Sequence, residues 1–213
     1  MSVWNKIAVC MVLLCAGLLS PAVQGASVEQ APDVLMQEVT NQVLMIIRQD
    51  KAIQAGDSKR ILALVEDKVL PHFNFRRMTM LAVGRDWRQA NPQQQAQLTE
   101  GFRTLLVRTY SNALAQYRDQ TIEFKPSRLD PADTNTRIRM EIRQPGTQPI
   151  LIDYMLEKTP DGWKVFDVIV AGVSLVTNYR STFTNEIRAG GIDGLIRSIE
   201  AKNKSLETGD AAK

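Results

Sequence analysis

Cysteine is nearly missing from this chain of 213 residues: Cys10 and Cys15 are its two thiols, and both fall within the first 15 positions. The chain also lacks an apolar run long enough for a membrane-spanning helix. Ile7 to Leu19 is uncharged and apolar but shorter than the roughly 20 residues a span requires. Lys6 precedes that run, and Val23-Gln24-Gly25 before Ala26 offers modest side chains to a signal peptidase. Met1 to about Gly25 therefore reads as a secretory signal peptide. An uncleaved anchor is the alternative, and a lipoprotein site at Cys15 is disfavoured because Leu14 is bulkier than such a site accepts. Once that segment is removed, no thiol remains. Disulfides, cysteine catalysis and cysteine metal sites are then all excluded, as suits a periplasm that oxidises stray thiols.

Histidine is almost as scarce, with His72 alone. One histidine and no mature cysteine argue against zinc. Beside Pro71 in a bend, His72 reads as a hydrogen-bonded structural residue. No GxSxG elbow and no phosphate-cradling glycine loop occur, and a Ser-His-Asp set would need His72 as its base. Charge of either sign is not in excess. Without Lys6, 25 Lys plus Arg face 23 Asp plus Glu, a net charge of +2, too balanced to imply nucleic acid. No cofactor is called for. The remaining length suits one domain with a substantial core, in one lobe or two.

What is present is organised around Val69 to Leu114. Phe73, Phe75, Met78, Met80, Leu81 and Trp87 crowd its first half, with Arg76, Arg77, Arg85 and Arg88 interleaved. Its second half predicts a long helix from Pro92 to about Tyr117. Leu98, Phe102, Leu105, Leu106, Tyr110 and Leu114 share one face, and Asn91-Pro92 with Gln94 supplies a capping box. Upstream, a helix is expected over Pro32 to about Ile53. A second apolar stripe follows at Ile61, Leu64, Val65 and Val69, and a short helix runs from Arg77 to Val83, stopped by Gly84.

From Gln120 the period becomes alternating. Ile122 and Phe124, then Ile138, Met140 and Ile142, then Ile150, Ile152, Tyr154 and Leu156 predict strands wetted on one face. Thr159 to Gly162 is a hairpin turn, and Trp163 to Ala171 is a last long strand, with Gly172 ending the sheet. Helix returns at Leu175, Tyr179, Phe183 and Ile187. Gly190-Gly191 separates this from a final helix carrying Ile192, Leu195, Ile196 and Ile199, and Ser205 to Lys213 is read as a frayed tail. Helices, antiparallel sheet, helices is an α+β plan.

Several side chains carry possible chemistry. Arg76, Arg77, Arg85 and Arg88 suit an anionic head group or an acidic partner surface, or simply a solvated face with ordinary ion pairs. Arg137, Arg139 and Arg143 should point to water. Asp153 and Asp167 lie in strands beside apolar residues. A buried one would have a raised pKa and could serve as a general base on an apolar substrate. Alternation instead turns both outward.

The fragments VLPHFNFRRMTMLAVGRDWRQA, FRTLLVRTY, DGWKVFDVIVAGVSLVTNYRSTFTNEI and GGIDGLI, in this order and spacing, resemble the MlaC, or toluene-tolerance (Ttg2), family. The likeness runs from about Val28 to Lys204. It implies an antiparallel NTF2-like sheet joined to a helical subdomain and enclosing an apolar cavity, built from residues 26–204 between the signal peptide (1–25) and the tail (205–213). It further implies a monomeric periplasmic carrier that is not an enzyme. The expected ligand is a diacyl glycerophospholipid such as phosphatidylethanolamine. The expected partners are an outer-membrane lipoprotein–porin complex and an inner-membrane ABC transporter with MCE domains. Such carriers are thought to move lipid inward and so maintain outer-membrane asymmetry. The expected tail contacts are Phe75, Leu81, Leu106, Tyr110, Tyr154, Val168, Val170, Val173, Val176 and Tyr179. Each could equally fill a solid core. The other reading left open is a small-molecule isomerase or hydrolase of NTF2-like fold.

Overall fold

The computed structural model describes residues 30–130 and 132–208. The expected signal peptide and both cysteines lie outside the described residues. Six helices and one sheet are present among them. The helices are α1 (Pro32–Gln49), α2 (Lys51–Gln54), α3 (Ser58–Lys68), α4 (Phe75–Val83), α5 (Pro92–Tyr110) and α6 (Arg180–Thr208). The strands are β1 (Thr121–Phe124), β2 (Asn135–Arg143), β3 (Ile150–Thr159), β4 (Gly162–Val170) and β5 (Val173–Ser174). The sheet is an antiparallel meander in the order β1-β2-β3-β4-β5, so the α+β plan holds.

Caps set most of the helix limits. Asp50 accepts the N–H groups of Ala52 and Ile53, which splits the helix expected over 32–53 into α1 and α2. Asn74 accepts the Arg77 N–H and starts α4 two residues earlier than the periodicity suggests. The Asn91–Gln94 capping box forms in both directions. Beyond Tyr110 the helix tightens into a 3-10 segment, Ser111–Gln116, instead of running on as α-helix to Tyr117. At the other end α6 runs through Thr208, so residues 205–208 of the expected tail are helical. Within α6 the chain breaks at Gly190 and Gly191; Gly191 has φ 66° and ψ −168°, a conformation open essentially to glycine alone.

One face of the sheet is apolar. Paired residues Ile138 and Tyr154, Met140 and Ile152, and Tyr154 and Val168 lie across it. The phase of β4 slips near Phe166, where Leu156 pairs with Val165 but Met155 pairs with Asp167. This bulge lets Val165 and Val168 both join the apolar face. Gly172 does not end the sheet, because Val173–Ser174 folds back on Ile169–Val170 as β5.

Burial occurs in three clusters. Helices α4, α5 and α6 enclose one around Phe102, Leu105, Val176, Phe183 and Leu195. The sheet and Met36 of α1 make the second. The third joins α1, α2 and α3 through Val43, Ile47, Ile53, Ile61 and Leu64. No helix among the described residues is long and apolar enough to cross a membrane.

Candidate functional site: an apolar cleft at the seam

The three clusters meet without merging, and an open cleft of about 220 Å³ lies where they meet. Val65, Val69 and Leu70 come from the end of α3 and the turn after it. Phe75 and Met78 come from α4, and Leu106, Val107 and Tyr110 from α5. Tyr154 and Val168 contribute the sheet wall, closed off by Phe73, Ser111, Leu114 and Leu175. No Asp, Glu, Lys, Arg or His is among these lining residues.

Local backbone contacts fix the wall. Asn74 donates its N–H to the Val165 carbonyl at 2.8 Å, and Phe73 bridges Val165 as an extra strand pairing. That ties the start of α4 to β4 and stacks the Phe73 ring against Phe75 with centroids 5.8 Å apart. The two tyrosines are held neutral. Burial pushes the Tyr154 hydroxyl up to about 12. Burial, and then the neighbouring Tyr179, push Tyr110 up to about 12 as well. Their hydroxyls can donate or accept, but they bring no charge into the cleft.

Five of the ten residues expected to touch lipid line the cleft: Phe75, Leu106, Tyr110, Tyr154 and Val168. The other five lie elsewhere. Leu81 lines a separate groove between α4 and α6. Val170 is half-buried on the apolar sheet face, and Val173 beyond it is 55% exposed. Val176 is fully buried in the helical cluster. Tyr179 stacks edge-on against Phe102, centroids 5.2 Å apart, and packs on Phe183. Val65, Val69, Phe73, Met78, Leu114 and Leu175 line the cleft but were not among the expected contacts. Their apolar character was legible; which side of each helix meets the seam was not.

Several of the remaining candidates sit in structural contacts away from the cleft. Arg77 pairs with Glu157 and lies 3.7 Å over the Phe166 ring, and Arg76 bonds Gln95 and sits over Trp87. His72 is half-buried, and desolvation lowers its pKa. Asp153 accepts two hydrogen bonds from Arg139, at 2.6 and 2.9 Å, which lower its pKa. A general base needs the opposite shift. Asp167 is buried, contrary to the alternation reading. The chain folds back over it as β5, and its carboxylate accepts Val168 N–H, the Ser174 hydroxyl and Val176 N–H. It thus pins the β4–β5 return to the start of the last helical segment.

A profile of the MlaC protein family matches residues 37–201. A Haemophilus influenzae protein named intermembrane phospholipid transport system binding protein MlaC is 27% identical over 179 residues, 82% of this chain and 83% of that protein. The toluene tolerance protein ttg2D of Pseudomonas putida is 31% identical over 108 residues, about half of each chain. A phospholipid-binding protein from Ralstonia solanacearum, solved in complex with a phospholipid, has 36% identity and a TM-score of 0.78. That match covers 84% of this chain and 99% of the other. With the family profile spanning most of its length and the fold shared with a lipid-complexed relative, this chain belongs to the MlaC family.

Proposed function

We propose that this protein is a periplasmic phospholipid carrier. It takes diacyl glycerophospholipid from one membrane complex and delivers it to another, with an outer-membrane lipoprotein–porin complex and an inner-membrane MCE-domain ABC transporter as its partners, and so maintains outer-membrane asymmetry. The observation that carries this reading is an apolar cleft without charged lining at the seam of sheet and helices, in a fold shared with a phospholipid-bound relative. A two-tailed lipid has about 30 methylenes, each worth roughly 0.8 kcal/mol when removed from water. That free energy keeps lipid from crossing an aqueous gap uncovered. In this reading the cleft shelters the tails and the charged head stays at its mouth.

The cleft's 220 Å³ is below even the roughly 300–1,000 Å³ of pockets for drug-sized ligands. Lipid uptake therefore requires the lobes to part. The breaks at Gly172 and Gly190-Gly191 are the flex points in this reading. The test is native mass spectrometry of protein purified without added lipid, with chromatography of an organic extract. Bound diacyl glycerophospholipid is the expected result. Protein free of lipid and unable to extract it from vesicles would overturn the proposal. If the chain were instead an enzyme on a small apolar molecule, Asp153→Asn or Asp167→Asn would abolish a turnover that the carrier reading does not require.

A further inference from the structure

A second concavity, of about 810 Å³, lies between α4 and α6 and shares no lining residue with the cleft. Met80, Leu81 and Val83 of α4 and the following turn, Gly84 to Arg88, form one side. Arg180, Thr184, Ile187 and Arg188, spaced along one face of α6, form the other. Its floor is apolar, with Met80 39% exposed. Its rim carries Arg85, Arg88, Arg180 and Arg188, all exposed.

Arginines elsewhere in the chain are mostly occupied, Arg48, Arg76 and Arg118 by neutral oxygens and others by acids. Arg60, Arg77, Arg103 and Arg139 each pair with a carboxylate. Arg85, Arg88 and Arg188 have no carboxylate partner among the described residues, and Arg180 donates to the Leu81 carbonyl instead, at 2.8 Å. Asp86 is the carboxylate among the lining residues, and it already accepts a hydrogen bond from Gln89. The groove is therefore strongly basic in a nearly neutral protein.

We propose that this groove docks an acidic, amphipathic helical segment of a partner protein. The occupant's aliphatic side chains rest on Met80 and Leu81, and its carboxylates pair with the guanidinium rim, whose fork geometry suits bidentate pairing. The α6 wall from Arg180 to Arg188 spans about 12 Å at 1.5 Å per residue, the length of two helical turns. A helix laid in an apolar groove between two helices is a recurrent recognition mode. A bilayer surface fits less well. Membrane-attracting patches are runs of Lys and Arg that reach out to head groups, whereas this lining contains arginine without lysine around a recess. The inference stands on the groove alone, apart from the carrier reading.

The test is fluorescence anisotropy with the full chain and a synthetic helical peptide of about four turns, with Glu on one face and Leu and Met on the other. The controls are the same peptide with Lys for Glu, and phosphatidylglycerol vesicles. We expect the acidic peptide to bind and the Lys peptide not to. Raised salt should weaken binding, and the Arg85→Glu/Arg188→Glu double variant should lose about tenfold or more. Met80→Asp should weaken it comparably while melting temperature and bound lipid stay unchanged. Failure of the acidic peptide to bind, equal binding of the Lys peptide, or indifference to both variants would overturn the proposal. So would tighter, Arg85- and Arg188-dependent capture of the vesicles, which would assign the groove to a membrane surface.

Discussion

Val168 and Val176 are both buried valines, but one borders the cleft and the other fills the helical core. The same substitution should therefore act differently at the two sites. Val168→Trp places an indole at the cleft wall. In the carrier reading, co-purifying lipid should fall at least about tenfold while the melting temperature moves by a few degrees. Val176→Trp overpacks a closed interior, at a cost of about 1–3 kcal/mol or more. That lowers the melting temperature by roughly 2–12 °C in a chain of this size. Lipid extraction and thermal melts on both variants check this, and identical behaviour would contradict it. A second residue-scale consequence concerns acid. Hydrogen bonding from Arg139 holds the Asp153 carboxyl below its ordinary 3.8, and Lys125 does the same for Glu141, below 4.5. A lowered folded pKa stabilises the fold above the ordinary value, and that contribution is lost as pH falls through the lowered one. Arg139→Ala should thus be less stable than the parent near neutral pH. The gap should close as pH drops well below 3.8, read from urea midpoints across pH. A gap that persists in strong acid would count against the pairing. Alternation in the sequence put Asp153 on the outer face correctly. It missed the burial of Asp167, because a bulge and a folded-back strand leave no period to read.

At the scale of elements, α5 and α6 pack at unusually close range. A Cβ added at Gly101 would stand 2.9 Å from Cγ2 of Ile199. Asn203 donates from Nδ2 to the Gly101 carbonyl at 2.9 Å, and Arg108 reaches the Asn203 carbonyl. Gly101→Val must push the two helices apart, so it should cost about 1–3 kcal/mol. The melting temperature should fall by several degrees, even though valine has a better helix propensity than the glycine it replaces. An unchanged melt would show that the helices separate freely. Most elements were legible because their signals are local: the Asn91 capping box, the alternation of β2 and β3, and the Gly190-Gly191 break. Their limits were less so. Asp50 fell inside the helix expected over Pro32 to about Ile53, and Asn74 lay outside the one expected from Arg77; each side chain instead caps a helix start. The two-residue β5 carries no periodic signal at all; it exists because Asp167 and Ser174 hold it.

For the whole molecule, what matters is that three apolar clusters stop short of merging. Had they fused, no cleft would separate Leu106 from Tyr154. The sequence contains the apolar stripes that build each cluster, but the seam between them is a property of relative placement. That is why Phe75, Leu106, Tyr110, Tyr154 and Val168 line the cleft while Leu81, Val173 and Val176, drawn from the same apolar stripes, do not. No single helix period says which neighbour its apolar face will meet. In the carrier reading this same seam is where the molecule opens, since parting clusters that are already distinct exposes less core than breaking one. The most direct measurement is photo-crosslinking with a phospholipid bearing a diazirine near an acyl end, followed by peptide mapping. The account predicts labels on the segments holding Leu106 to Tyr110, Tyr154 and Val168. Labels confined to the Met80–Arg188 groove or the molecular surface, or no uptake of the probe, would contradict it.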